Sequence, residues 1–265
     1  MTDIPRPAAA REPGTLPVLA HHGDWAELRL NRPDVHNRLE LADIEVLSKD
    51  IEKLNADTEV RVVVLTGAGS RTFCSGFHLG SFQPTASNAD HAFEALVDAV
   101  ESMRALTIAR VNGSMYGGAA DLALACDFRV GVTASTMTVP AARLGLHFYG
   151  HGLRRWVTRV GPGVAMRAFL AAQTFEADEL LACGFYTCCV VPEQLDTACM
   201  DLVDQLRGMA PLAVQGMKQI INDASIGAYD HEKATRQQLT SLGSEDFAEG
   251  RAALAAKRPP VFKGK

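Results

Sequence analysis

The 265-residue sequence has no cluster of lysine and arginine; its 26 basic and 31 acidic residues leave a formal net charge of −5. A mildly acidic chain without a basic stripe offers no electrostatic footprint to a nucleic acid or an anionic membrane surface. No apolar run approaches the ~20 residues that a membrane-spanning helix needs. The six cysteines lack zinc-type spacing: Cys188 and Cys189 are adjacent, and Cys126 and Cys183 stand in apolar surroundings. They read as buried, reduced thiols of a cytoplasmic protein, with no metal site. Nucleotide and nucleophile motifs are missing too. "GAGSRTF" (Gly67 to Phe73) lacks the third glycine of a dinucleotide fingerprint, and no Lys-Ser or Lys-Thr pair closes a P-loop. "NGSMYG" (Asn112 to Gly117) does not have the spacing of a Gly-x-Ser-x-Gly nucleophile elbow.

What remains is an ordinary globular composition, 47% hydrophobic and 22% charged, in a chain long enough for one large domain or one and a half. The Pro/Ala-rich start, residues 1–16, reads as a mobile tail without the apolar core of a signal peptide. "WAELRLNR" (Trp25 to Arg32) alternates as a strand does. Leu41 to Asp57 has helical period, with Leu41, Ile44, Leu47, Ile51 and Leu54 on one face. The β-branched run "VRVVVLTG" (Val60 to Gly67) suits a strand covered on both faces. A second amphipathic helix over Asp90 to Leu106 and short strands around Arg110, Arg129 and Met137 complete a β-α-β succession. An α/β layer with right-handed crossovers is therefore expected. Past Gly152 the pattern is mostly helical, with breaks near Gly161-Pro162, Gly184, Pro192 and Pro211 and no strands of its own. Such a segment often packs against another subunit, so a core over residues 17–200 and an oligomerising helical region over 201–265 are expected.

Two glycine turns are the chemistry-bearing features. "FCSGFHL" (Phe73 to Leu79) and "MYGGAAD" (Met115 to Asp121) each follow a strand, and the second opens a helix. Glycine lets main-chain N–H groups face a ligand with no side chain in the way, and a helix start adds unpaired donors and a positive dipole end. Two such N–H groups aimed at one point would hold a developing oxyanion. The alternative is that these are turn glycines and nothing more.

With these turns, "ARVNGSMYGGAADLALACDFRV", "VRVVVLTGAGSRTFCSGFHL", the first-strand turn "LNRPDVHN" and the ending "SEDFAEGRAALAAKRPPVFKGK", the sequence resembles the crotonase superfamily of enoyl-CoA hydratases and isomerases over residues 17–265. The resemblance implies an α/β spiral of ββα units whose C-terminal helical region assembles homotrimers, often paired into hexamers. It implies an acyl-CoA thioester substrate, coenzyme A as part of that substrate, and no other cofactor. By position, the N–H groups of Phe77 and Gly118 would form the oxyanion hole. The CoA thioester would lie along Arg32, Val35 and the segment Cys74, Ser75, Gly76, His78 and Leu79, with Gly117, Pro140, Ala141 and Leu144 around the acyl end. Lys257 and Lys263, in the basic ending with Arg258 and Lys265, correspond to the part that approaches the CoA phosphates, often from a neighbouring subunit. A lid would fall within Ser81 to His91.

The departures decide the reaction. Hydratases of the family hold water between two glutamates. The first position is Asp121 here, one methylene shorter, and the second is Ala141, which can neither move a proton nor orient water. Asp121, one turn after Gly118, is the expected proton carrier, and a first-turn acid also favours the helix dipole. A double-bond shift needs one carboxylate that removes and returns the same proton, which ranks isomerisation above hydration. Tyr149 matches a position that is aspartate in the dienoyl-CoA isomerase and dehalogenase branches and tyrosine in a decarboxylase branch. Tyr149 or a histidine, His147, His151 or His78, could instead serve decarboxylation or C–C hydrolysis in the protonating role. A CoA-thioester-binding protein without catalysis is the alternative of another class. Asp127 is expected to be structural, and Arg154 and Arg155 to cap carbonyls or pair with acids.

Overall fold

The computed structural model describes residues 14–78, 80 and 88–265. Leu79, most of the N-terminal tail and residues 81–87 of the expected lid lie outside them. Two sheets are built by a repeated strand-strand-helix path. One holds β1 (Val18–His21), β2 (Trp25–Leu30), β3 (Val62–Gly67), β5 (Leu106–Val111), β7 (Phe128–Val132) and β10 (Cys188–Val190), in that order and parallel except for the β1-β2 hairpin. The other holds β4 (Thr72–Cys74), β6 (Ser114–Tyr116), β8 (Thr136–Thr138) and β9 (Thr174–Glu176). Successive units run β3-β4-α2 (Asn88–Glu101), β5-β6-α3 (Gly118–Ala125) and β7-β8-α4 (Gly150–Phe169). The first unit, β2-α1 (Leu41–Ala56), contributes only Leu39, which pairs with Phe77 as a lone parallel bridge. This is the α/β spiral of ββα units that the resemblance implies.

The β-branched run at β3 explains where the core sits. All six of its residues are buried. Side chains alternate across a strand, so Val63 and Leu65 join the large core under α1 to α4, while Val62 and Val64 join a second core. The helix α6 (Leu195–Arg207) covers that second core with Leu195, Cys199, Val203 and Leu206. Burying one such side chain contributes about 1.5–3 kcal/mol, so a strand sandwiched this way anchors everything that follows it.

The expectation of a strandless final third is corrected. β9 pairs antiparallel with β8, and β10 parallel with β7. Three-residue strands show no period of their own; their neighbours define them. The break expected at Gly161-Pro162 is a kink inside α4, where Gly161 has φ +83°. Asp127 is structural: its Oδ2 accepts bonds from Thr107 N and Oγ1 at 2.8 and 2.9 Å and from Lys218 Nζ at 2.7 Å. Beyond α5 (Ala177–Ala182) and α6, the helices α7 (Pro211–Ser225), α8 (His231–Leu242) and α9 (Glu245–Ala256) bury little. Lys218 is the buried residue of α7, and α8 has none. All six cysteines are free. Among the described residues no helix is long and apolar enough to cross a membrane.

Candidate active site

Three strand ends of the smaller sheet open onto one cavity of about 370 Å³. After β4 come Ser75, Gly76 and Phe77; after β6, Gly117 and Gly118; after β8, Val139, Pro140 and Ala141; all eight line it. The first turn is held from behind by the first-strand turn. Ser75 N donates to His36 O, Leu39 N to Gly76 O and His78 N to Leu39 O, each at 2.9 Å. Gly76 has φ +88° and Gly117 φ +58°, conformations that glycine adopts without strain. A Cβ on Gly76 would lie 2.7 Å from Tyr116 O and 3.3 Å from Gly118 N, so the two turns are in contact. Gly118 is the first residue of α3, where an N–H has no carbonyl of its own helix to bond. The Phe93 ring packs on it so closely that a Cβ there would sit 2.7 Å from the ring.

The opposite wall is side chain. Phe93 and Glu94 come from α2, and Leu144, Leu146, His147, Phe148 and Tyr149 from the approach to α4. Phe93 stacks near Phe77 at 5.8 Å between centroids and meets Tyr149 edge-on at 5.9 Å, and Phe148 stacks on Tyr149 at 4.4 Å. Asp121 is not on the wall. It is fully buried behind Tyr149, whose hydroxyl donates to Asp121 Oδ2 at 2.5 Å, and Arg155 Nη1 donates to the same oxygen at 2.5 Å.

Residues 22–265 match the model of the enoyl-CoA hydratase/isomerase family. The chain belongs to that family. Carnitinyl-CoA dehydratase of Citrobacter koseri is 30% identical over 259 residues, spanning 92% of this chain and 97% of the relative. An enoyl-CoA hydratase/carnitine racemase from Magnetospirillum magneticum superposes with a TM-score of 0.89 at 28% identity, covering 95% and 96% of the two chains. An enoyl-CoA hydratase from Bacillus anthracis does so at 0.87 and 25%, covering 95% and 100%.

In this member of the crotonase superfamily the expected residues divide into three groups. Ser75, Gly76, Phe77, Gly117, Gly118, Pro140, Ala141, Leu144, His147 and Tyr149 share the cavity. Arg32, Val35, Cys74 and His78 are beside or behind it. Arg32 Nε donates to both Asp43 oxygens at 3.1 and 3.0 Å, tying the first-strand turn to α1. Val35 O accepts from Ser75 Oγ at 3.4 Å. Cys74 does not line the cavity: it is fully buried, donating to Asn37 O and accepting from Gly76 N, and burial pushes its thiol up to about 12. The third group is distant in sequence and structure. Lys257 and Lys263 are exposed, and the tail around them is tied down by Lys263 N and Gly264 N on Asp246 and by Arg61 Nη2 on Phe262 O. Arg61 precedes β3, so within this chain neither lysine is on the cavity wall.

Arg155 organises the charges behind the side-chain wall. Its side chain is wholly buried, and it reaches Asp98 Oδ1 at 2.6 Å and Glu101 Oε1 at 3.2 Å besides Asp121. Burial lowers its pKa, but the charges of Asp121 and Glu101 more than offset that and hold it raised. Burial pushes Asp121 up, against the pull of Arg155 and the Tyr149 hydroxyl. Burial and the Asp121 charge raise Tyr149 well above its ordinary value, so it stays a neutral donor. The expectation that Arg154 and Arg155 pair with acids holds, with Arg155 joining three of them; sequence reasoning missed Glu94 as a wall residue and Gly152. A Cβ on Gly152 would meet Phe148 at 2.5 Å, Tyr149 at 2.8 Å and Asp121 Oδ2 at 3.0 Å.

Proposed function

We propose that the cavity takes an acyl-CoA thioester with its carbonyl oxygen between the N–H groups of Phe77 and Gly118, and that the enzyme moves a proton on the resulting enolate. The carrying observation is the meeting of the two turns, with Gly118 N 3.3 Å from where a Gly76 Cβ would stand. Removing one donor from such a hole costs about 10²–10³ in rate, so two bare main-chain turns on one apolar cavity are a large catalytic asset. Double-bond isomerisation is the favoured reaction, because Ala141 leaves no second acid at the hydratase position to hold water. Asp121 takes part through Tyr149: it holds that wall residue in place by accepting its hydroxyl hydrogen bond. CoA would run past Val35 and Ser75, and Lys257 and Lys263 would approach its phosphates from another copy of the chain. The exposed apolar residues of α7 to α9, such as Ile221, Leu239 and Leu254, support a trimer or hexamer, and a cytoplasmic location goes with the free thiols.

A 3-enoyl-CoA and crotonyl-CoA, followed at the absorbance of the conjugated enoyl thioester, test this. Conversion of the 3-enoyl compound alone is expected. Loss of the crotonyl band alone would instead make the enzyme a hydratase. A second reading has its own support: Tyr149 lines the cavity and keeps its hydroxyl proton. A thioester that loses CO₂ generates the enolate without any base and then needs only a proton donor. Release of CO₂ from a malonyl-type thioester, with no isomerisation, would favour it. Binding of CoA esters with no turnover of any of these would leave a thioester-binding protein.

A further inference from the structure

On the reading that the cavity stabilises an enolate, we propose that Glu94 is the catalytic base that takes the proton from the thioester's acyl chain and returns it. Among the described residues it is the one carboxylate on the cavity wall.

The other candidates are unsuited to that task. Asp121 is sealed behind Tyr149 and held by Arg155. The Tyr149 hydroxyl donates its hydrogen bond to Asp121 Oδ2, and loss of that proton would leave a phenolate against a carboxylate. His91 and His147 are exposed, and His147 Nδ1 is turned onto Phe148 O at 2.7 Å. Position 141, where a glutamate would stand in a hydratase, carries a methyl group.

Glu94 belongs to a stripe of acids on α2, Glu94, Asp98 and Glu101, that runs along the cations of α4. Helical spacing puts such positions on one face. Asp98 and Glu101 are consumed by arginines: Asp98 by Arg155 at 2.6 Å, Glu101 by Arg154 at 2.6 Å, with Arg155 and Arg159 at 3.2 and 3.4 Å. Glu94 has no arginine in these pairs. Its partner in these pairs is the His151 ring, whose Nδ1 is 3.7 Å away and sits at 2.5 Å from Asp98 instead. One main-chain donor, His151 N at 3.3 Å, orients Glu94 Oε1. Glu94 is thus the cavity end of an ionic zipper whose other acids are paired with arginines; it is held in place by a main-chain donor and lines the cavity without an arginine of its own.

The step balances without a co-reactant. A C–H bond next to the unsaturation breaks, its proton bonds to Glu94 Oε, and the electron pair moves onto the thioester oxygen. Return of the proton at the other end of the dienolate shifts the double bond and regenerates the carboxylate.

The test uses the whole protein and two probes. Butyryl-CoA in D₂O reports enolisation as deuterium uptake at its α-carbon. A cinnamoyl-CoA reports carbonyl polarisation as a red shift of its absorption band on binding. Glu94→Gln is expected to slow deuterium uptake by about 10²–10⁴-fold with the Kd of butyryl-CoA and the red shift unchanged. Uptake within threefold of the parent overturns the proposal. A parent that shifts the band yet exchanges no α-proton also overturns it while leaving the oxyanion hole standing. A parent that produces no shift overturns the hole itself, and this assignment with it. Glu94→Asp, which keeps the carboxylate but shortens it, is expected to regain part of the exchange, an outcome that a merely structural Glu94 would not give.

Discussion

The two walls of the cavity are made in different ways. One is main chain: three strand ends of a small sheet, with Gly76 and Gly117 in conformations that favour glycine. The other is side chain: aromatic rings and Glu94, carried by α2 and by the segment leading into α4, and these two helices are clamped together by buried charge. The first wall is built from short turns at strand ends, braced from behind by main-chain hydrogen bonds to the first-strand turn. The second depends on Arg155 finding three acids from two other helices. The difference teaches where each kind of function can vary. A carbonyl-polarising wall of peptide groups is hard to change one residue at a time, whereas the reacting groups opposite it are exchangeable, as the alanine at 141 already illustrates.

The comparison breaks most severely at Arg155. Replacing it with methionine keeps volume but leaves Asp121 buried without its cation, and removing one partner of a buried pair costs about 3–5 kcal/mol. Urea unfolding of Arg155→Met should register a loss of that order. A loss below about 1 kcal/mol would mean that the zipper is not what holds α2 to α4. Next in size is the main-chain wall. Gly76→Ala places a methyl 2.7 Å from Tyr116 O and 3.3 Å from Gly118 N, in a backbone conformation that already strains alanine. Turnover should fall by about 10²–10³, the scale of losing one oxyanion donor, and the red shift of bound cinnamoyl-CoA should vanish. If turnover falls and the shift persists, the hole lies elsewhere.

Gly152→Ala sharpens the contrast from the other side. The added methyl would push on Phe148, Tyr149 and Asp121 Oδ2, and overpacking of this kind costs about 1–3 kcal/mol. Because the strand-end turns are untouched, the red shift should survive while turnover drops. Loss of both together would show that the walls are not separable.

That division also governs how much the sequence discloses. The strand at Val62–Gly67 and both glycine turns are legible because each is a local pattern: a β-branched run, then small residues where the backbone must be bare. The β9 and β10 strands are not, because three residues show no period and only their partners define them. Asp121 reads as an acid one turn into a helix and therefore near the hole. The tertiary fold turns that face of α3 toward α4, where Arg155 and Tyr149 close over it. Glu94 reads as one more solvated acid on an amphipathic helix. Only the pairing of its neighbours with Arg154, Arg155 and Arg159 leaves it distinct, and nothing in a single sequence says which helices will be adjacent.

The effect that is smallest at neutral pH tests what stands behind the main-chain wall. Cys74 is sealed under the Ser75–Phe77 turn, and burial raises its thiol from 9.0 to about 12. Between those values the unfolded chain loses this proton and the folded one keeps it, so the folded state binds more protons and stability falls as pH rises. One group contributes a slope of about 1.4 kcal/mol per pH unit in that window and none below it. Cys126 and Cys199, also raised to about 12, act in the same direction, so the parent alone does not isolate Cys74. Cys74→Ala does. Its urea midpoint should decline less steeply than the parent's between pH 9 and 11, and the two curves should run parallel from pH 6 to 8. Equal slopes throughout would mean that the thiol ionises in the folded protein, and that the turn carrying Phe77 is not packed on a closed core.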